Sequence, residues 1–209
     1  NASDDRGLFV PISRGTPRRP VIEGKQIEPF HVLVGDCRLE LRPGAQTGRR
    51  VGRRARLAYR DIASATNRLT LIAAIVPAHA VTTHTLFCLR PPLPEADQHV
   101  LCALLNSYVA TSLVRFRVNT HVTVSLVSRL PGPIVRRGDP FFERLSALAG
   151  ALVDGDQPVE DREEHAELQA IAARLYGLTA ADFAHVLSTF PLVPERVRQA
   201  ALETFNSIR

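Results

Sequence analysis

Two apolar runs hinged on a polar connector dominate the hydrophobic pattern of this chain. Residues 57–62, LAYRDI, and 71–76, LIAAIV, have the length and composition of strands, and Ser64-Ala65-Thr66-Asn67-Arg68 between them is turn-like. Residues 56–76 therefore predict a buried strand pair with a polar tip. Upstream, residues 31–41 partly alternate in strand fashion, with a bend expected at Gly35. Residues 82–89 read as another strand, closed by Arg90-Pro91-Pro92-Leu93-Pro94, whose prolines cannot continue a ladder.

From residue 95 to 118 the period becomes helical, with Val100, Leu101, Leu104, Leu105, Tyr108, Val109, Leu113 and Phe116 on one broad face. The pattern predicts one long helix ending in Arg115 and Arg117. Residues 120–130, THVTVSLVSRL, alternate again as a strand, stopped by Pro131. Beyond them four helices are expected, over 140–153, 160–176, 179–187 and 194–208, with Gly177 ending the second and Thr179 capping the third ahead of Asp182. The predicted fold class is α+β: a mixed or mostly antiparallel sheet packed on a long helix, followed by a C-terminal helical segment. Residues 1–20, rich in proline and arginine, read as a linker arm; 21–137 form a basic core and 138–209 an acidic helical tail.

Length and composition permit one sizeable domain with a helical appendage, since 209 residues at 45% hydrophobic supply a full core. Every apolar run breaks well before the roughly 20 residues a spanning helix needs, and no basic start leads into a signal segment. The expected location is cytoplasmic, with no membrane partner. Cys37, Cys88 and Cys102 are odd in number and lack C-x-x-C spacing, so they read as buried thiols in a reducing compartment. The lack of methionine and the Asn-Ala opening point to an excised piece of a longer parent.

Charge changes the picture more than composition does. Residues 1–137 carry 20 Lys+Arg against 9 Asp+Glu, a balance of +11, and residues 138–209 carry 6 against 12, a balance of −6, which together give the net +5. The front of the chain wants an anionic partner; the acidic helices are expected to face the parent enzyme or another protein. Arg49, Arg50, Arg53, Arg54 and Arg56 lie among Gly44, Gly48 and Gly52, a pliable arginine loop feeding a rigid sheet. Guanidinium groups grip phosphate bidentately and also read guanine edges, so such a loop suits a duplex that is both held and inspected. The plainer reading is a solvated surface loop. Arg115, Arg117, Asn119, Thr120 and His121 form a second basic corner, although arginines in a last turn also simply complement the helix dipole. Asp61, beside Arg60, reads as a structural ion-pair partner.

Other chemistry is thinly represented. His79, His84 and Cys88 match no standard metal-ligand spacing. Glu23-Gly24-Lys25 has the form of half a metal-dependent nuclease site, but its upstream acids would have to be Asp4 and Asp5 in the arm. There is no glycine-rich nucleotide fingerprint, no G-x-S-x-G elbow and no Asn-Pro-Pro-aromatic element. Catalysis by this chain alone is not expected.

The sequences RLAYRDIA over 56–63 and TNRLTLIAAIVP over 66–77 resemble the C-terminal region of large adenine-specific DNA methyltransferases and of the type II restriction-modification enzymes built on them. So do Ile22-Glu23-Gly24-Lys25 with Phe30-His31, Leu104-Leu105-Asn106-Ser107, residues 115–121, Leu130-Pro131, Leu175-Tyr176-Gly177-Leu178, and Phe183 with residues 187–191. The resemblance implies a target recognition domain that selects a sequence in double-stranded DNA. A separate N-terminal methyltransferase domain of the parent chain would bind S-adenosylmethionine and modify a flipped adenine. It carries no catalytic, cofactor or metal residue onto this chain. DNA contact is expected of Lys25, Arg49, Arg50, Arg53, Arg54, Arg56, Arg60, Asn67, Arg68, Arg115, Arg117 and His121. The alternatives are a metal-dependent nuclease fragment using Glu23 and Lys25, and a protein–protein scaffold whose arginine loop meets an acidic surface.

Overall fold

The computed structural model describes residues 6–12, 17–45, 52–64, 66–155 and 157–208. The predicted strand pair is its centre. Strand β4 (Arg56–Arg60) pairs antiparallel with β5 (Ala73–Val76) on one side, Leu57 facing Ile75, and with β7 (Leu86–Cys88) on the other, Tyr59 facing Phe87. Ala58, Ala73 and Ala74 are fully buried, and their small side chains let helices approach the sheet closely. Two smaller pairings flank it: β1 (Phe9–Pro11) runs antiparallel to β3 (Leu39–Leu41), and β2 (Val21–Ile22) runs parallel to β6 (Val81–Thr82). The fold is α+β, and among the described residues the strands form three small sheets in place of one continuous sheet. Part of the expected N-terminal arm is thereby tied down, through β1.

The expected long helix is divided. Helix α1 (Glu95–Leu105) stops at Asn106, and Ser107 starts α2 (Tyr108–Arg115) by accepting the Ala110 N–H on its hydroxyl at 3.1 Å. The apolar period runs through the break because both helices face the same interior. Asn106 is spent on the sheet: its Oδ1 accepts the Ala73 N–H at 3.0 Å, and its Nδ2 donates to the Ala73 carbonyl at 2.9 Å and to Cys102 O at 3.0 Å. The expected strand over 120–130 is also absent. Only Ile62 and His121 form an isolated bridge there, and Thr123 caps a short helix α3 (Val124–Val127) through Oγ1. No further edge reaches this segment, so its amides turn inward on one another while Val122 and Leu126 pack against Ala63 and Leu71.

The C-terminal helices lie close to their predicted positions. Helix α4 (Pro140–Asp154) buries Phe142, Leu145, Leu148, Ala149 and Leu152 along one stripe, largely against α1. Helix α5 (Glu163–Leu175) ends at Gly177, whose φ of 72° takes the left-handed turn glycine adopts without strain. Thr179 and Asp182 then form a reciprocal capping box for α6 (Ala180–Ser188). In α7 (Glu195–Ser207), Val197, Ala201 and Phe205 recur every four residues and enter the same core as Ile22, Ile27 and Ala58. The apolar faces of the acidic segment are thus used within this chain. No helix among the described residues is long and apolar enough to cross a membrane.

One buried polar relay joins the two halves. Gln169 on α5 accepts the Tyr108 N–H at 2.8 Å, donates to Asn106 O at 3.2 Å and meets His165 Nε2 at 3.2 Å. Burial, with a smaller contribution from the Arg68 charge, depresses the His165 pKa from its ordinary 6.5 to about 4. Between those values the unfolded chain binds a proton that the native protein refuses, so stability falls as pH drops from 6.5 towards 4. The full difference corresponds to about 3 kcal/mol. Urea midpoints measured across this range should show the slope in the parent and a flatter one in His165→Gln. An unchanged slope in the variant would move the cause to other groups.

Candidate nucleic-acid interface

The expected contact residues fall at the two ends of β4 (Arg56–Arg60), separated by about 13 Å at the rise of an extended strand. At its start, residues 52–56 form one wall of a groove of about 760 Å³, completed by Arg90-Pro91-Pro92-Leu93, the first turn of α1 and the last residues of α4. Arg53 and Arg54 are exposed on this wall and have no hydrogen-bonding or ionic partner among the described residues; the same holds for Arg90 opposite. Arg49 and Arg50 lie outside the described residues. His99 also lines the groove, packed so closely on α4 that a Cβ on Gly150 would sit 3.2 Å from its ring.

Arg56 is built into the fold as much as into the groove. Its Nη2 donates to Ala80 O at 3.1 Å, and its guanidinium rests where a side chain on residue 52 would stand, 2.3 Å from the position of a Cβ on Gly52. Gly52 in turn accepts the His79 N–H at 2.8 Å. A side chain at residue 52 would displace the end of the Arg56 side chain from this place.

At the far end of β4 several predicted residues turn inward. Arg60 donates to Glu28 Oε1 at 3.0 Å, and Arg68 pairs with Glu160. Arg115 is the most committed: Nε donates to Thr70 Oγ1 at 3.1 Å, Nη1 to Thr189 O at 2.7 Å, and Nη2 to the carbonyls of Asn67 and Arg68 at 2.5 and 2.8 Å. Its guanidinium also lies 4.2 Å from the centre of the Phe190 ring. With its fork engaged on four acceptors, Arg115 positions the connector. Asp61 pairs with His121, Oδ2 to Nδ1 at 3.1 Å, in place of the expected neighbour Arg60.

What faces solvent at this end is the tip itself. The Asn67 side chain, Arg117 and His121 are exposed, and among them Phe116 is 80% exposed with Ile62 and Val124 also open. A solvent-facing aromatic between two arginines of sequence is the kind of surface that stacks on or wedges against bases. Lys25 stands apart, paired with Glu23 at 2.7 Å, and Glu23 is further engaged in a capping box with Gln26. No cluster of three metal-ligating side chains forms among the described residues.

Sequence reasoning placed Arg90 only in the segment that closes a strand, assigning it no contact, and singled out neither His99 nor Gln98. Gln98 carried a legible signal, being a polar residue three and four positions before Leu101 and Cys102, hence on the core-facing stripe of α1. Against known proteins, neither the protein families nor the curated sequences match anything along this chain.

Proposed function

We propose that this chain is the DNA recognition module of an adenine-specific DNA methyltransferase in a restriction-modification or phage-defence system. The observation that carries the reading is the charge of the segment that holds both ends of β4. Residues 41–138 contain fourteen arginines, at 42, 49, 50, 53, 54, 56, 60, 68, 90, 115, 117, 129, 136 and 137, against three acids, Asp61, Glu95 and Asp97. Some of those arginines are consumed internally, and Arg137 pairs with Asp97. Arg53, Arg54, Arg90 and Arg117 keep their guanidinium groups for a partner. In this reading they displace counterions from phosphates and set the register, while the Asn67 tip and the 116–121 corner inspect bases. Methyl transfer from S-adenosylmethionine belongs to the separate N-terminal domain, and no step of it is assigned to residues of this chain.

A randomised-duplex pool, bound and eluted across a salt series and then sequenced, tests the assignment. Two to four neutralised phosphates, depending on how many arginines share one, predict a log–log salt slope between about −1.8 and about −3.6, together with enrichment of a short motif. Absence of binding at low salt, with capture of an acidic protein surface instead, would replace DNA recognition by the scaffold role.

A further inference from the structure

The groove at the start of β4 holds two buried polar atoms without partners. Gln98 is 8% exposed, and its Nε2 donates to Leu93 O at 3.1 Å and Ala55 O at 3.5 Å. Those two carbonyls fix the amide orientation, since turning it over would set oxygen against oxygen. Oε1 is therefore the atom left unpaired, and Arg56 Nη1 is left unpaired on the opposite wall. One acceptor and one donor are thus missing their complements in a single cleft, an arrangement that is unfavourable until a ligand supplies them. Around them stand three exposed guanidinium groups and an apolar wall of Leu57, Leu89 and Leu93.

We propose that this groove binds one nucleotide unit, with its phosphate on Arg53, Arg54 and Arg90 and its base edge between Arg56 Nη1 and Gln98 Oε1. Adjacent acceptor and donor positions are what a base edge offers, as in N7 and the N6 amino group of adenine. The leucines cover the ring face, and the cleft volume lies within the range of small-molecule sites. Glu95 and Asp154 on the rim disfavour a second phosphate and can accept from sugar hydroxyls. Both unpaired atoms are sealed from water in the present arrangement, so entry of the base requires a local shift of the groove wall, with the Leu93 carbonyl still orienting the Gln98 amide. The inference rests on the DNA-binding reading and adds to it a cleft that takes a base out of the stack, which surface docking on phosphates does not require.

The test uses the full chain and isothermal titration with the four deoxynucleoside 5′-monophosphates, adenosine, inorganic phosphate, a perfect duplex, and the same duplex carrying one extrahelical nucleotide. At least one monophosphate should bind tenfold or more tightly than both phosphate and adenosine. Arg90→Ala, at an exposed position, should weaken every nucleotide at least fivefold. Gln98→Leu, with its melting temperature checked, should erase the preference among bases while keeping phosphate binding. Tighter binding of the bulged duplex than of both the perfect duplex and the free monophosphates supports the cleft with a DNA strand as the source; monophosphates binding more tightly than the bulged duplex support it with a free nucleotide. Phosphate binding as tightly as every nucleotide, or base preference surviving in a folded Gln98→Leu, would overturn the proposal. Binding of the perfect duplex without any nucleotide or bulge effect would overturn the cleft and leave DNA recognition standing; no binding to either would remove both.

Discussion

Arg115→Met is expected to lower the unfolding free energy by about 3 kcal/mol and, on the proposed DNA-binding reading, to weaken duplex binding by releasing the connector that Arg115 positions. Methionine keeps the alkyl length but removes four hydrogen bonds from a charged donor and the contact with Phe190. Charged-group hydrogen bonds contribute about 1.5–3 kcal/mol each and are far from additive when they share one side chain, so the total is set well below their sum. The carbonyls of Asn67 and Arg68 lose their anchor and the connector is released from the end of α6. Urea denaturation reads the stability, and the salt-titrated duplex assay reads the binding. Arg115→Lys separates positioning from direct contact: it retains the charge but lacks the planar fork, so it should recover less than half of the stability. If lysine restored DNA affinity fully while stability stayed low, the residue would be a phosphate contact and the positioning role would fall.

Asn106→Leu should cost a similar amount, about 3 kcal/mol, because it strips the partner from a buried backbone donor. Leucine has the same number and branching of side-chain heavy atoms but is bulkier, so no cavity is left and some overpacking adds to the cost. The Ala73 N–H, on the side of β5 away from β4, has no other acceptor among the described residues, whereas the Ala73 carbonyl still receives the Phe30 N–H at 2.9 Å. The loss is therefore directional, and it can be seen site by site. Amide hydrogen exchange at Ala73 should accelerate markedly more than at Ile75, and the denaturant midpoint should fall. Equal acceleration at both residues would mean general loosening instead of a lost partner. Asn106→Asp should be worse than leucine, since it sets a carboxylate oxygen against the carbonyls of Ala73 and Cys102 in a buried site.

The contrast between these two residues shows how much the amino-acid pattern discloses. The β4–β5 pair was legible because strand-length apolar runs flanked a polar turn, and the helices from Pro140 onward were legible because their caps, Thr179 with Asp182 and Gly177, stand in the sequence. The division at Asn106 was hidden, since Leu104, Leu105, Tyr108 and Val109 keep the helical period on either side of it. Residues 120–130 misled for a related reason: Val122, Leu126, Val127 and Leu130 satisfy both a two-residue alternation in part and a helical spacing, and only the lack of a neighbouring strand decides between them. At the interface, the concentration of arginine was visible but its distribution was not. Arg54 and Arg115 look alike in one dimension; one lines an open groove and the other is saturated by four oxygens contributed from residues 45 to 74 positions away along the chain.

Phe205 and Ile22 belong to one core, and this bears on synthesis. These core partners are 183 positions apart, 205 minus 22, and α7 closes the interior that β2 and β4 open. At about 5–20 residues per second, a nascent chain carries Ile22 and Ile27 uncovered for roughly 10–40 s before α7 leaves the ribosome. Closure of this core therefore waits for α7, whatever local helices form earlier. During that interval the arginine-rich segment is already outside the exit tunnel, unfolded and close to ribosomal RNA, so nascent chains are expected to depend on a holding chaperone and premature stops within α7 to yield aggregates.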